Sequence, residues 1–286
     1  METSYQYSYG GIGWGSSASS YIQNTGMHKK DASSCKEYAV NEDANSKYRP
    51  YMEDTYAWVD NFAGDVTCGL FWVFDGHGGS TVSEYLKERI PEELKDRIQY
   101  ENPSDLTSIL EETFEKVDKE LKMLDSEQWG STACVGIIRI ESAHKVLYMA
   151  NWGDTRALLS RNGVEERLTI DHKLSEKSEY ERVINSGGIV MNDRVGGTLI
   201  LTRAFGDYAL KDSGVIVKPT IRKHFIRPHD RFIVIASDGV YDTMSDQEVI
   251  ALCNLEDSTD KTSKNIVSKA LETGSQDNLC WCVIKI

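Results

Sequence analysis

Positive charge is in short supply in this chain: 32 Lys and Arg stand against 45 Asp and Glu, a net charge of −13 over 286 residues. Phosphate backbones are bound through a surplus of Lys and Arg, so nucleic acid is not expected as the main partner. A phosphorylated substrate stays compatible with this balance if metal ions supply the positive charge. No apolar run approaches the ~18 residues a membrane helix requires, no charged-then-apolar leader opens the chain, and Glu2 stands where N-myristoylation needs glycine. No membrane partner is expected. Proline is scarce, 5 against 22 Gly, which describes a turn-rich globular chain, and the 40% hydrophobic content is enough for a sizeable core. The 6 cysteines form no Cys-x-x-Cys pair. The close couple Cys280 and Cys282 reads as two small hydrophobes of one strand face, with a structural zinc site as the lesser alternative. Such usage implies a reducing compartment, cytoplasm and/or nucleus.

Residues 1–34 differ from the rest, with 8 Ser, 5 Gly and 4 Tyr and no core-like periodicity. They read as a flexible or loosely docked N-terminal arm, or alternatively as an irregular edge segment packing through Trp14 and the tyrosines. Residues 35–286 then read as one domain. Strands are expected at Thr55–Val59, Gly69–Phe74, Ala133–Ile140, Lys145–Asn151, Ala157–Ser160, Arg231–Ala236 and Asn278–Ile286. Helices are expected near Thr81–Ile98, interrupted at Pro91, after Ser104, at Glu176–Ser186, after the capping box Ser245-Asp246-Gln247-Glu248, and at Lys261–Glu272. The last strand is apolar on both faces, which places it between layers. Short-turn strands interspersed with helical pairs suggest antiparallel sheets covered by helices, an α+β architecture.

The aspartates carry the functional signal. Asp75 and Asp238 end strands, Asp154 follows one, and Asp54 and Asp277 stand just before strands. In an antiparallel sheet the end of one strand lies beside the start of its neighbour, so these five acids could gather at one edge. Gathered carboxylates repel unless neutralised, and hard divalent cations such as Mg²⁺ and Mn²⁺ do that through oxygen ligands. Singly, Asp75-Gly76 or Asp238-Gly239 reads as ordinary turn chemistry; together, each after a buried strand, they favour metal.

Seven segments stand in order along residues 49–286: Arg49-Pro50-Tyr51-Met52-Glu53-Asp54, Phe74-Asp75-Gly76-His77-Gly78-Gly79, Gly130-Ser131-Thr132-Ala133 and Asn151-Trp152-Gly153-Asp154-Thr155-Arg156. Leu201 to Asp207, Ala236-Ser237-Asp238-Gly239-Val240-Tyr241-Asp242 and Gln276-Asp277-Asn278 continue the series. In order and spacing these segments resemble the motifs of the metal-dependent type 2C protein Ser/Thr phosphatases. The resemblance implies two stacked antiparallel β-sheets flanked by helix pairs, an αββα sandwich with a two-metal site at one end. It implies Asp75 as the carboxylate bridging both metals, the Gly76 carbonyl as a ligand of the second, and Asp238 and Asp277 as further ligands of the first. Glu53 and Asp54 match acids that hold metal-bound waters, and Asp154 and Asp242 match a weaker third-metal region.

The cofactors so implied are two Mn²⁺ or Mg²⁺ ions. The activity implied is direct attack on phosphoserine or phosphothreonine by a hydroxide bridging the two, with Asp54 near it, Arg49 clamping the phosphate and His77 protonating the departing oxygen. Asp154 and Asp207 also admit a structural reading, since Gly-Asp turns are common. Residues 208–220 are expected to form a short flap beside the metals. The partners implied are phosphorylated proteins, met by a monomer. The alternative is an inactive scaffold of the same fold that binds a signalling protein; such scaffolds usually lose a ligand, and every matched acid is present. A haloacid-dehalogenase-type enzyme is a weak alternative, since it would need an early Asp-x-Asp that this chain lacks, and Cys-x₅-Arg and P-loop signatures are missing.

Overall fold

Six strands hydrogen-bond into one antiparallel sheet in the order β1 (Met27–Lys30), β2 (Glu37–Asp43), β16 (Leu279–Lys285), β15 (Asp230–Ala236), β9 (Arg156–Arg161), β10 (Val164–Arg167). The structure is a computed structural model that describes residues 27–101, 103–124 and 126–286. A second antiparallel sheet of five strands runs β14 (Thr220–Phe225), β8 (His144–Trp152), β7 (Ala133–Glu141), β4 (Gly69–Phe74), β3 (Thr55–Asp60). Three two-residue strands, β5 (Gly76–His77), β6 (Gly130–Ser131) and β13 (Phe205–Gly206), make a small third sheet in the order β13-β6-β5.

The alternation of side chains along each strand assigns the layers. On β16, Cys280, Cys282 and Ile284 join Phe71 and Val73 of β4, Ile233 and Ile235 of β15 and Met149 of β8 in the core between the large sheets. The other face of β16, Leu279, Trp281 and Val283, packs with Val249, Ile250, Cys253, Ile266 and Ala270 of α6 (Asp246–Leu255) and α7 (Thr259–Glu272). Leu70, Trp72 and Phe74 point the opposite way from Phe71, into α1 (Thr81–Glu101) and α2 (Thr107–Leu121) through Leu86, Ile90, Leu110 and Phe114. The order of layers is therefore helices, sheet, sheet, helices. Trp152 and Trp281 fill core, and all six cysteines are free and buried. Among the described residues no helix is long and apolar enough to cross a membrane.

Three features differ from the sequence expectations. The helix across Pro91 is continuous, because Leu86, Ile90, Pro91 and Leu94 are all buried and their packing holds both halves on one line despite the lost backbone hydrogen bond. Residues 27–30, assigned to the arm, form edge strand β1 against β2, with Met27 opposite Val40 and Lys30 opposite Glu37; the rest of the arm, including Trp14, lies outside the described residues. The flap is larger than residues 208–220. Val183 of α3 (Lys177–Asn185) and Val195, Ala204 and Val215 form a satellite core, and Glu179 ties it together by accepting from Arg182, Arg203 and Thr202.

Candidate metal centre

Strand register brings the acids together. Thr55 is paired with Phe74, so Asp54, just before β3, lies beside Asp75, just after β4. Ala236 is paired with Trp281, so Asp238, just past β15, lies beside the start of β16, which Asp277 precedes. Ala133 is paired with Trp152, which puts Asp154, past the end of β8, at the same edge. Carboxylate oxygens of Asp75, Asp154 and Asp238 all lie within 4.8 Å of one another. The five strand-end acids thus meet where both sheets end. Asp242 is exposed, one turn beyond Asp238, and its N–H donates to the Asp238 carbonyl at 2.7 Å.

Backbone fit at this edge is close. A Cβ on Gly76 would stand 2.5 Å from the Glu53 carbonyl oxygen and 2.8 Å from Ser83 Oγ, so only glycine passes here. Asn278 clamps the incoming loop: its Oδ1 accepts from Glu53 N–H at 2.9 Å, and its Nδ2 donates to the Ala44 and Tyr51 carbonyls. Arg49 forms an ion pair with Asp277, and its Nε donates to the Gln276 carbonyl at 3.4 Å, so the guanidinium stands at the rim of the cluster.

The electrostatics are those of repelling, desolvated acids. Burial, then the neighbouring Asp238, Asp54, Asp154 and Asp277, hold the Asp75 carboxyl well above the ordinary carboxylate range. Burial, then Asp154, Asp242 and Asp277, do the same to Asp238. Asp54 is pushed up to about 7 by burial and by the Asp277 and Glu53 charges, against a hydrogen bond from Ser237. Its Oδ2 is buried with no hydrogen-bond partner. An orphaned buried carboxylate oxygen, three acids converging on one point and an all-oxygen donor set fit a hard divalent cation. Lys173 already supplies one positive charge, its Nζ 2.7 Å from Asp154 Oδ2. Burial disfavours that ammonium, yet Asp154, Asp242 and Asp238 outweigh it and raise its pKa.

Every acid that the sequence singled out lies at this edge or on its rim, together with Arg49. Two further groups stand beside them. Lys173 was not legible because strands β9 and β10 separate it from its partner Asp154, and the sequence does not reveal that the chain returns to this edge. Asp207 read as a turn acid, but its Oδ2 lies 2.7 Å from His77 Nε2. The one sequence signal for it was its place after Gly206 in the segment Leu201 to Asp207.

The structure is a four-layer sandwich with clustered carboxylates at one sheet edge. Residues 38–279 match the family model described as protein phosphatase 2C. The chain is 35% identical over 258 residues to protein phosphatase 2C homolog 1 of Saccharomyces cerevisiae, covering 86% of this chain and 92% of that protein. It is 34% identical over 248 residues to protein phosphatase 2C homolog 1 of Schizosaccharomyces pombe, covering 86% of this chain and 72% of that one. The fold is similar to the crystal structure of serine-threonine phosphatase 2C from Toxoplasma gondii, with TM-score 0.74 at 21% identity over 91% of this chain and 98% of that one. The chain belongs to the protein phosphatase 2C family and is a metal-dependent protein serine/threonine phosphatase.

Proposed function

We propose that this enzyme hydrolyses phosphoserine and phosphothreonine by direct attack of water on phosphorus, with Asp75, Asp238 and Asp277, the Gly76 carbonyl, and Glu53 and Asp54 holding two Mn²⁺ or Mg²⁺ ions. The convergence of Asp75, Asp154 and Asp238 oxygens carries the reading. When bound, the ions supply the charge that offsets the developing phosphoryl negative charge, and they acidify a water so that the nucleophile is available near neutral pH. Asp154 and Asp242, with Asp238, make a further and weaker cation region, which Lys173 shares. Arg49 releases Asp277 and turns its planar fork to the phosphate oxygens, orienting the ester. His77, whose side chain is 28% exposed, reaches the substrate side and protonates the departing alkoxide, a poor leaving group without that proton. Asp54, buried beside Asp75, orients the attacking water and takes its proton. The free, buried thiols support a reducing compartment, cytoplasm or nucleus, as the place of action.

The test is a single turnover of a phosphothreonine peptide, quenched in acid and read by mass spectrometry of the protein. Direct attack gives phosphate and an unmodified chain at every time point; a chain heavier by one phosphoryl group would overturn it.

A further inference from the structure

We propose that Asp207 is the positioning residue of His77, accepting the Nε2 hydrogen so that Nδ1 is the nitrogen that passes its proton to the departing Ser or Thr oxygen. The proposal rests on the reading of His77 as general acid.

The small third sheet makes the pair. Gly130 is registered opposite His77 on one side and opposite Gly206 on the other, so Asp207, the next residue, comes level with the His77 ring. A Cβ on Gly130 would collide with Asp207 Oδ2 and stand 2.5 Å from His77 Nε2, so the hydrogen bond passes through space that only glycine leaves open. Asp207 is fixed from behind. It is left-handed, at φ 49°, its N–H donates to the Trp129 carbonyl at 3.0 Å, and its carboxylate is 5% exposed. The preceding Gly206 N–H donates to Asp118 Oδ1 of α2 at 2.9 Å, and Lys211 Nζ bonds Asp118 and the Ala204 carbonyl. The backbone carrying Asp207 is therefore anchored to a core helix.

A carboxylate has no hydrogen to give, so the 2.7 Å contact requires the hydrogen on Nε2. Nδ1 has no hydrogen-bond partner among the described residues, and it is the nitrogen left for substrate. In the step itself the P–O bond to the side chain breaks, its electron pair stays on the departing oxygen, and the Nδ1 proton forms the new O–H. His77 is left neutral, with its remaining hydrogen on Nε2 facing Asp207.

Two readouts test this in the full-length enzyme. On a phosphothreonine peptide, Asp207→Ala should lower kcat on the order of tenfold to hundredfold with little change in KM, while p-nitrophenyl phosphate, whose phenolate departs without a proton, should lose about twofold or less. The double variant with His77→Ala should be no slower than His77→Ala alone. In ¹H–¹⁵N spectra of metal-free protein, neutral His77 should be the Nε2–H tautomer in wild type and in Asp207→Asn, whose amide oxygen still accepts, and a mixture in Asp207→Ala. Wild-type peptide turnover in Asp207→Ala beside a slow His77→Ala, multiplying losses in the double variant, or an Nδ1–H tautomer in wild type would overturn the role. His77→Ala losing equally on both substrates would instead overturn the general-acid reading beneath it.

Discussion

Asp54 and Asp75 are neighbours across the end of one strand pair: Asp54 precedes Thr55, Asp75 follows Phe74, and Thr55 and Phe74 are register partners. Asp54 is buried, Asp75 is half-buried, and the Asp54 charge helps hold the Asp75 carboxyl above its ordinary range. A fold that holds these acids together without cations stores repulsion, and much of the enzyme's behaviour follows from that.

Asp238→Asn removes one of the repelling charges while keeping the side chain's shape. In EDTA the variant should melt several degrees above wild type, since about 1 kcal/mol moves a melting temperature by a few degrees in a chain of this size. Adding Mn²⁺ should stabilise wild type more than the variant, reversing or closing the gap. Equal melting temperatures in EDTA would show that the cluster carries no repulsion.

Metal-free stability should fall as pH rises. Asp54 binds its proton more tightly folded, with a pKa pushed up to about 7 from an ordinary 3.8, so its contribution is full below the ordinary value and is lost as pH climbs through about 7. Each tenfold displacement of such a protonation equilibrium is worth about 1.4 kcal/mol. Thermal melts in EDTA at pH 5 and pH 8 should show wild type losing more stability than Asp54→Asn, and saturating Mg²⁺ should shrink that difference.

Much of this site is legible in the sequence because its acids sit at strand ends that the sequence marks clearly. The run Leu70 to Phe74 between Gly69 and Asp75, and the two-faced strand Leu279 to Lys285, announce buried strands by composition alone. Strands β1, β2 and β14 escaped, since Met27–Lys30 and Thr220–Phe225 are polar edges and Glu37–Asp43 turns acidic halfway. Pro91 misled because local propensity argues for a break, and the packing of Ile90 and Leu94 overrides it. Asp207 escaped because its partner lies 130 residues away, a contact made only by three two-residue strands.

Gly76→Ala places a methyl group against the Glu53 carbonyl and Ser83 Oγ, where the backbone must shift. A stability loss of about 1–3 kcal/mol is expected in EDTA. Because the shift moves Glu53 and the Gly76 carbonyl together, the Mn²⁺ concentration for half-maximal activity should rise on the order of tenfold. Denaturant unfolding and a Mn²⁺ activation curve measure the two effects separately.

Arg49→Lys keeps the charge but loses the planar fork. The lysine can still pair with Asp277, so the fold and metal response should be unchanged, while kcat/KM on a phosphothreonine peptide should fall on the order of tenfold or more. A full-activity lysine variant would show that Arg49 acts only as a counter-ion for Asp277.

The central claim is that the carboxylate edge built around Asp75 holds the cations on which hydrolysis depends. The direct test is hydrolysis of a phosphothreonine peptide by EDTA-stripped protein as Mn²⁺ is titrated back, in wild type and in Asp75→Asn. The account predicts activity that rises from background with Mn²⁺ in wild type and stays at least about a thousandfold lower in the variant at every concentration. Metal-independent turnover in wild type, or a variant that recovers with Mn²⁺ as wild type does, would contradict it.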